Sequence, residues 1–550
     1  MTLEAITPTR SAAGKVVVAT ASPLATRIAA DMLARGGSSA DALVAAQAVL
    51  SLVEPNASGL GGGCVIVWHD TRSGRSGVVD GLSAAPARVT ERLELDFDGR
   101  HIPQERAMTG GRSVGVPGAL RALELLHGKF GRLSWAETLT PAIAMAEEGV
   151  AMPFYLAKTL AEFSPMRDEP MTQAVMLGAD NRPLPVGSRL RNPQLAVSLT
   201  QIAQEGAGAL YEGKLGRAIV DAVTRDVLPG ALTEADLAGY RAIEREPLRA
   251  KLGHETVLTA PPPVFGGMAM GQILGLMQAR GLLGQDPTGS DHTTHILCEA
   301  GRLAFADRGA YVGDPDFTDS PAQALLEPGY LAERAKLIQD GAVAASVTSG
   351  RLANASAGAA GGGMASSLTS HIVVVDAFGL VVSMTTTINQ NFGSRLSAGG
   401  FYLNNVQTNF ARFPKSGGIA SRNAMAPGKR PMTSFAPALL LGTDGRPRAA
   451  IGAGGGNRIV GFVANGLLRI AAGMQDAAEV VASPQALNWG SVSDLEPPLR
   501  DYIPALVARG HWPMLRRMDG GTQAMIRTST GWTAGGDPRR DGSAAAVAAD

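Results

Sequence analysis

Ser366-Ser367-Leu368-Thr369-Ser370-His371-Ile372-Val373-Val374-Val375-Asp376 is the stretch on which the fold turns. The residues before it, 353–365, are small and glycine-rich, with neither a helical apolar stripe nor strand alternation. They read as a flexible tether spanning 352–368. The residues after it are the strongest strand in the chain: 371–375 is mostly β-branched, 376–379 supplies turn residues, and 380–388 is a second β-rich run. A β-hairpin follows. With a three-residue loop, Thr369 lies opposite Thr387, and the period of two puts Thr387 and Asn389 on one face.

A threonine at the junction of a tether and a rigid strand has one chemistry open to it beyond packing. Cleavage of the Leu368–Thr369 bond gives Thr369 a free α-amine beside its own hydroxyl. That amine, with an ordinary pKa of about 8, is a base able to activate the nucleophile. On the hairpin alone the alternative stands beside it: a threonine that starts a strand because β-branched residues favour strands.

In order and spacing, Leu368-Thr369-Ser370-His371, Asp376, Gly379, Thr385-Thr386-Thr387-Ile388-Asn389, Phe392-Gly393 and Leu403-Asn404-Asn405 resemble the small-subunit start of the gamma-glutamyltranspeptidases. Those proteins are self-cleaving N-terminal nucleophile hydrolases, and the resemblance runs from Lys15 to Gly542. It implies an α/β fold, a four-layer αββα N-terminal nucleophile hydrolase sandwich. It also implies cleavage between Leu368 and Thr369 into a large chain 1–368 and a small chain 369–550, which remain together as a heterodimer. Thr369 is then the nucleophile for its own release and for substrate, and Thr387 orients it. Gly455 and Gly456 offer N–H groups to the oxyanion, and neither a metal nor an organic cofactor is needed.

The implied substrate is a small-molecule amide. In the resembled family an arginine in an Asp-x-Arg-Glu-x-Ala-Pro run clamps the α-carboxylate of the γ-glutamyl group; here the run is Asp80-Gly81-Leu82-Ser83-Ala84-Ala85-Pro86, with Leu82 at the arginine position. The positions that hold the α-amine fall on Val406 and Asn409, both uncharged. Asn389 and the hydroxyl pair Thr433-Ser434 are retained. A γ-glutamyl group is the family default. Relatives with altered pockets act instead on acyl side chains of β-lactams or on oxamate, and an acyl group of that other kind is the preferred expectation. A non-catalytic binding relative is the competing possibility from a different class.

Composition removes several other classes. Lysine plus arginine equal the acids at 49 each over 550 residues, so no net field favours nucleic acid or a membrane surface. Cys64 and Cys298 form no disulfide framework. Residues 1–14 contain no apolar run of signal-peptide length, and no stretch is long and apolar enough to span a bilayer. The expectation is a cytoplasmic protein.

Other motifs carry less. Helices are expected over 22–35 and, capped by Ser38 or Ser39, up to Glu54-Pro55. Gly59-Leu60-Gly61-Gly62-Gly63 follows a helix and opens a strand, the reverse of a dinucleotide loop, and reads as a close backbone approach. Gly111-Arg112-Ser113-Val114-Gly115 matches a nucleophile elbow in letters but lacks the strand before it. His292, His295, Cys298 and Glu299 share a helical face, where a metal site competes with a packed or solvated face. A helix is expected from Met268, a strand-to-helix turn over 452–458, and a frayed tail over 543–550.

Overall fold

The strands that decide the fold pair as expected. In the computed structural model, described over residues 9–90, 95, 98–359 and 368–548, Ser370–Val375 and Leu380–Thr387 form an antiparallel hairpin. Its register sets Ser370 opposite Thr386, which brings Thr369 opposite Thr387.

The hairpin is the centre of a seven-stranded antiparallel sheet. Val16–Thr20 and then Ser543–Val547 continue it on one side, and Gly63–Asp70, Arg75–Gly81 and Ile243–Arg245 on the other. A second seven-stranded sheet runs in the order Ser11–Gly14, Trp532–Gly536, Gln523–Arg527, Pro447–Gly452, Ala438–Leu441, Glu255–Thr259 and Leu248–Leu252. Because strand side chains alternate, each central strand feeds two cores. Val373, Val375 and Val381 face the second sheet, whereas Ile372, Val374, Val382 and Met384 face outward onto helices. Those helices include Pro23–Ala34, Ser39–Val53 and Ala119–Phe130; on the far side Phe265–Ala279 and Arg458–Ala471 cover the second sheet. The result is the four-layer αββα sandwich.

Local signals explain the placements near the hairpin. Ser38 caps Ser39–Val53 through a capping box with Asp41. Ser39 then donates its N–H to Asp376 in the hairpin turn, at 2.7 Å, fixing that helix to the strand loop. The glycine run is a close backbone approach: a Cβ at Gly62 would collide with the Thr387 carbonyl oxygen.

Two expectations are corrected. The 543–550 segment is not a frayed tail over its first part: Ser543–Val547 is an edge strand paired with Val16–Thr20. Its small residues have weak intrinsic strand preference, and the free edge of Val16–Thr20 supplies the partner that they cannot specify alone. The helix expected from Met268 begins at Phe265, since the Phe265 N–H finds the Thr433 carbonyl at 2.9 Å and the first turn is satisfied from outside the helix. Of the tether, 360–367 lies outside the described residues. In the part that is described, the Gly358 and Ala359 N–H groups donate to the Ala310 and Ala420 carbonyls at 2.9 and 3.1 Å.

Candidate active site

Thr369 is fully buried in the uncleaved chain, at the mouth of the hairpin. Its Oγ1 lies 2.7 Å from the Leu368 carbonyl oxygen and 3.4 Å from Thr387 Oγ1. Thr387 Oγ1 is itself 2.7 Å from the Leu368 oxygen and accepts the Asn389 N–H at 2.8 Å. The Thr387 hydroxyl has two carbonyl acceptors in reach, Leu368 at 2.7 Å and Ala57 at 3.3 Å, and the shorter contact is to Leu368. Both hydroxyls therefore converge on the Leu368 carbonyl oxygen, next to the bond between Leu368 and Thr369.

The second sheet brings the glycine loop to the same point. Pro447–Gly452 ends in the turn at 453–457, and a Cβ at Gly454 would collide with the Thr369 carbonyl oxygen. Gly455 and Gly456 take φ values of 117° and 64°, backbone that side chains resist. Among the described residues their N–H groups have no hydrogen-bond partner. Two such N–H donors in the turn next to Gly454 are of the kind that suits an oxyanion.

Beside Thr387 lies a small, narrow pocket lined by Leu82, Asn389, Val406, Asn409 and Thr433, together with Ile388 and Phe435. The sequence-predicted binding residues therefore meet in one place, except Ser434. Its hydroxyl is buried next to the lining and has no partner among the described residues. Asn389 is oriented through Nδ2, which donates to the Asn405 carbonyl and side chain and to Thr408 Oγ1 at 3.1–3.2 Å. The Asn409 side-chain oxygen is buried and unpartnered among the described residues. Of the described side chains lining the cavity, none is ionisable. Arg245 and Arg430 both pair with Asp80, at 2.8 and 3.2 Å.

Several residues here carry no role in the sequence reading. Glu54 accepts the Ser370 hydroxyl, and Arg540 Nη1 donates to the Thr369 carbonyl at 2.8 Å. Burial pushes the Glu54 carboxyl up to about 7, against the opposing pull of Arg540 and Ser370. Glu54-Pro55 and the 537–542 segment were visible as motifs, but nothing local says that their side chains converge. His371 is also buried, bonded to Thr385 and Ser383 at 2.9 and 3.1 Å, and burial holds its ring down to about 3.

The remaining candidates separate from the site. Ser113 donates its hydroxyl to the Gly110 carbonyl at 2.8 Å and lies in a short 3-10 turn. His295 is bonded to His511 at 2.7 Å and to the Gln339 carbonyl at 2.6 Å, and Glu299 binds Arg302. Among the described residues no three His, Cys, Asp or Glu side chains are grouped to hold a metal, and no helix is long and apolar enough to cross a membrane.

The family model for gamma-glutamyltranspeptidase matches residues 25–547. The chain is similar to the glutathione hydrolase proenzyme of Bacillus subtilis (strain 168), 34% identical over 474 residues, which covers 84% of this chain and 79% of that protein. It is equally similar to the acylase ACY 1 proenzyme of Pseudomonas sp. (strain SE83), 34% identical over 539 residues, with 95% and 93% covered. Among solved structures, a cephalosporin acylase from Bacillus halodurans superposes with a TM-score of 0.85 at 27% identity, over 98% of this chain and 97% of that one. A sandwich with two hydroxyls on one carbonyl at its centre, and a sequence matched along nearly all its length, make this chain an enzyme of the gamma-glutamyltranspeptidase family.

Proposed function

We propose that the chain is a self-cleaving amide hydrolase or acyltransferase with Thr369 as nucleophile, acting on an acyl group that lacks the charged head of γ-glutamate. In the first reaction Thr369 Oγ attacks the Leu368 carbonyl carbon, the C–N bond breaks, and the nitrogen takes the hydroxyl proton. Water then hydrolyses the resulting ester, leaving Leu368 as a carboxylate and Thr369 with a free amine. The two products, 1–368 and 369–550, share both sheets and stay together as a heterodimer.

In the second reaction the α-amine takes the Thr369 hydroxyl proton as Oγ attacks the substrate amide carbonyl. The Gly455 and Gly456 N–H groups receive the developing oxyanion, a contribution of about 3 kcal/mol for such a donor. The leaving amine takes the proton, and water or an acceptor amine resolves the acyl-enzyme.

The observation that carries the substrate reading is the absence of any ionisable side chain among the described residues lining the cavity beside Thr387. A zwitterionic acyl group placed there loses charge-assisted bonds worth about 1.5–3 kcal/mol each. Leu82, Val406, Ile388 and Phe435 instead offer apolar surface, with Asn389, Asn409 and Thr433 as neutral polar contacts. The relatives carry names of both kinds, glutathione hydrolase and acylase, and the uncharged lining favours the acylase side. The test is a panel of anilides carrying γ-glutamyl, glutaryl, aryl-acetyl and aliphatic acyl groups, run against the processed protein. Faster turnover of an uncharged aryl-acetyl or aliphatic acyl group supports the reading; γ-glutamyl or glutaryl anilide as the best substrate overturns it.

A further inference from the structure

We propose that Arg540, with Glu54 as its counter-ion, is a positioning residue for Thr369: its guanidinium fixes the Thr369 main chain, and its charge sets the basicity of the amine released there. This rests on the reading of Thr369 as the nucleophile.

The Arg540 side chain is wholly buried. Nη1 donates to the Thr369 carbonyl at 2.8 Å, Nε to the Asp519 carbonyl at 3.2 Å, and the guanidinium lies 4.8 Å from the centre of the Tyr155 ring. Nη2 is buried with no partner among the described residues. Glu54 stands 3.8 Å from Nη1, beyond hydrogen-bond range, and spends its other oxygen on the Ser370 hydroxyl. Ser370 Oγ also lies 3.0 Å from Ser58 Oγ. The cation and the anion therefore grip two consecutive residues at the start of one strand.

As a stabilising device this is a poor one. A buried arginine that bonds neutral carbonyls, leaves a donor unpaired and misses its carboxylate is outdone by apolar packing of the same volume. The carbonyl it holds, however, belongs to the residue whose hydroxyl and amine are both needed. Backbone N and O of one residue lie roughly 3–3.6 Å apart, so the guanidinium sits within about 6.5 Å of the released amine.

The sign of the electrostatic effect follows. A cation at that range disfavours the ammonium form and keeps the amine a free base; a carboxylate does the opposite. The other acids around the cluster have partners of their own. Asp537 pairs with Arg539 at 3.1 Å, Asp519 with Lys158 at 3.5 Å, and Asp541 accepts the Tyr155 N–H at 3.0 Å. Burial keeps the Tyr155 phenol neutral, pushed up to about 12. Among the described residues Glu54 is the carboxylate within 4 Å of the Arg540 guanidinium.

The experiment compares processed wild type with Arg540→Met, Arg540→Lys and Glu54→Gln. The pKa of the Thr369 amine is read by trace labelling with acetic anhydride across pH, followed by mass spectrometry of the N-terminal peptide. In parallel, kcat and KM are measured on the anilide that wild type cleaves fastest. Arg540→Met is expected to raise the amine pKa by about one unit and Glu54→Gln to lower it by a similar amount. Arg540→Lys keeps the pKa but loses about tenfold in kcat at unchanged KM, because the fork that holds the carbonyl is gone. A merely structural role does not move the two pKa values in opposite directions. If Arg540→Met does not mature, Arg540→Lys and Glu54→Gln decide. An amine pKa unchanged in Glu54→Gln, or full kcat in Arg540→Lys, overturns the proposal. A Thr369→Ala protein that still turns over substrate overturns the nucleophile reading instead.

Discussion

Thr369 and Thr387 face each other across the hairpin with their hydroxyls 3.4 Å apart and the Leu368 carbonyl oxygen 2.7 Å from each. Hairpin register alone produces this arrangement. It brings both hydroxyls to the same carbonyl oxygen.

Thr387→Val keeps the shape of the side chain and removes the hydroxyl. The Asn389 N–H loses its acceptor and the Leu368 carbonyl loses a donor, at a cost of about 1–3 kcal/mol. Self-cleavage is expected to slow about 10- to 100-fold, with Thr387→Ser close to wild type. Time-resolved gel analysis of freshly made precursor measures it, and equal rates for the valine and serine variants contradict the role.

Gly454→Ala tests the approach of the second sheet. The added Cβ collides with the Thr369 carbonyl oxygen, so cleavage is expected to stop or fall at least tenfold. Gly208→Ala, whose Cβ meets nothing nearby, serves as the control and should mature normally. Intact mass of both proteins after expression gives the answer.

Much of this centre was legible because the signals were local. The β-branched run at 371–375 and the turn residues after it point to the hairpin, its register follows only once the loop length is known, and the glycines at 59–63 announce a close approach. The strand Ser543–Val547 was not legible, since its alanines carry little strand preference and only the edge of Val16–Thr20 recruits them. Nor was the Arg540–Thr369 contact, which joins residues 171 apart in sequence. The uncharged binding residues came from the family resemblance; the structure adds that Leu82 and Asn409 line one pocket, which Ser434 does not line.

Leu82→Arg combined with Asn409→Asp is expected to raise kcat/KM for a γ-glutamyl anilide about tenfold or more, while self-cleavage is unchanged. The introduced charges face one cavity and pair the α-carboxylate and α-amine, each bond worth about 1.5–3 kcal/mol. No gain in a folded, matured double variant contradicts the assignment of these positions to substrate choice.

Two buried groups make stability depend on pH in opposite senses. His371, held down to about 3, binds fewer protons folded than unfolded, so its contribution is present above pH about 6.5 and is lost as pH falls toward 3. Glu54, raised to about 7, binds more protons folded, so its contribution is present below pH about 4.5 and is lost as pH rises through 7. Between about pH 4.5 and 6.5 the two oppose each other. In Glu54→Gln the opposing term is gone, and the thermal midpoint should rise more steeply with pH across that window than in wild type. A slope no steeper than wild type contradicts the buried, proton-binding Glu54.

The central claim is that Thr369 cuts the bond before it. Intact-mass analysis of purified wild type should give two chains, 1–368 and 369–550, with threonine at the N-terminus of the smaller, and Thr369→Ala should give one chain of 550 residues. A Thr369→Ala protein cut at the same bond, or a folded wild type that remains a single chain, contradicts the account.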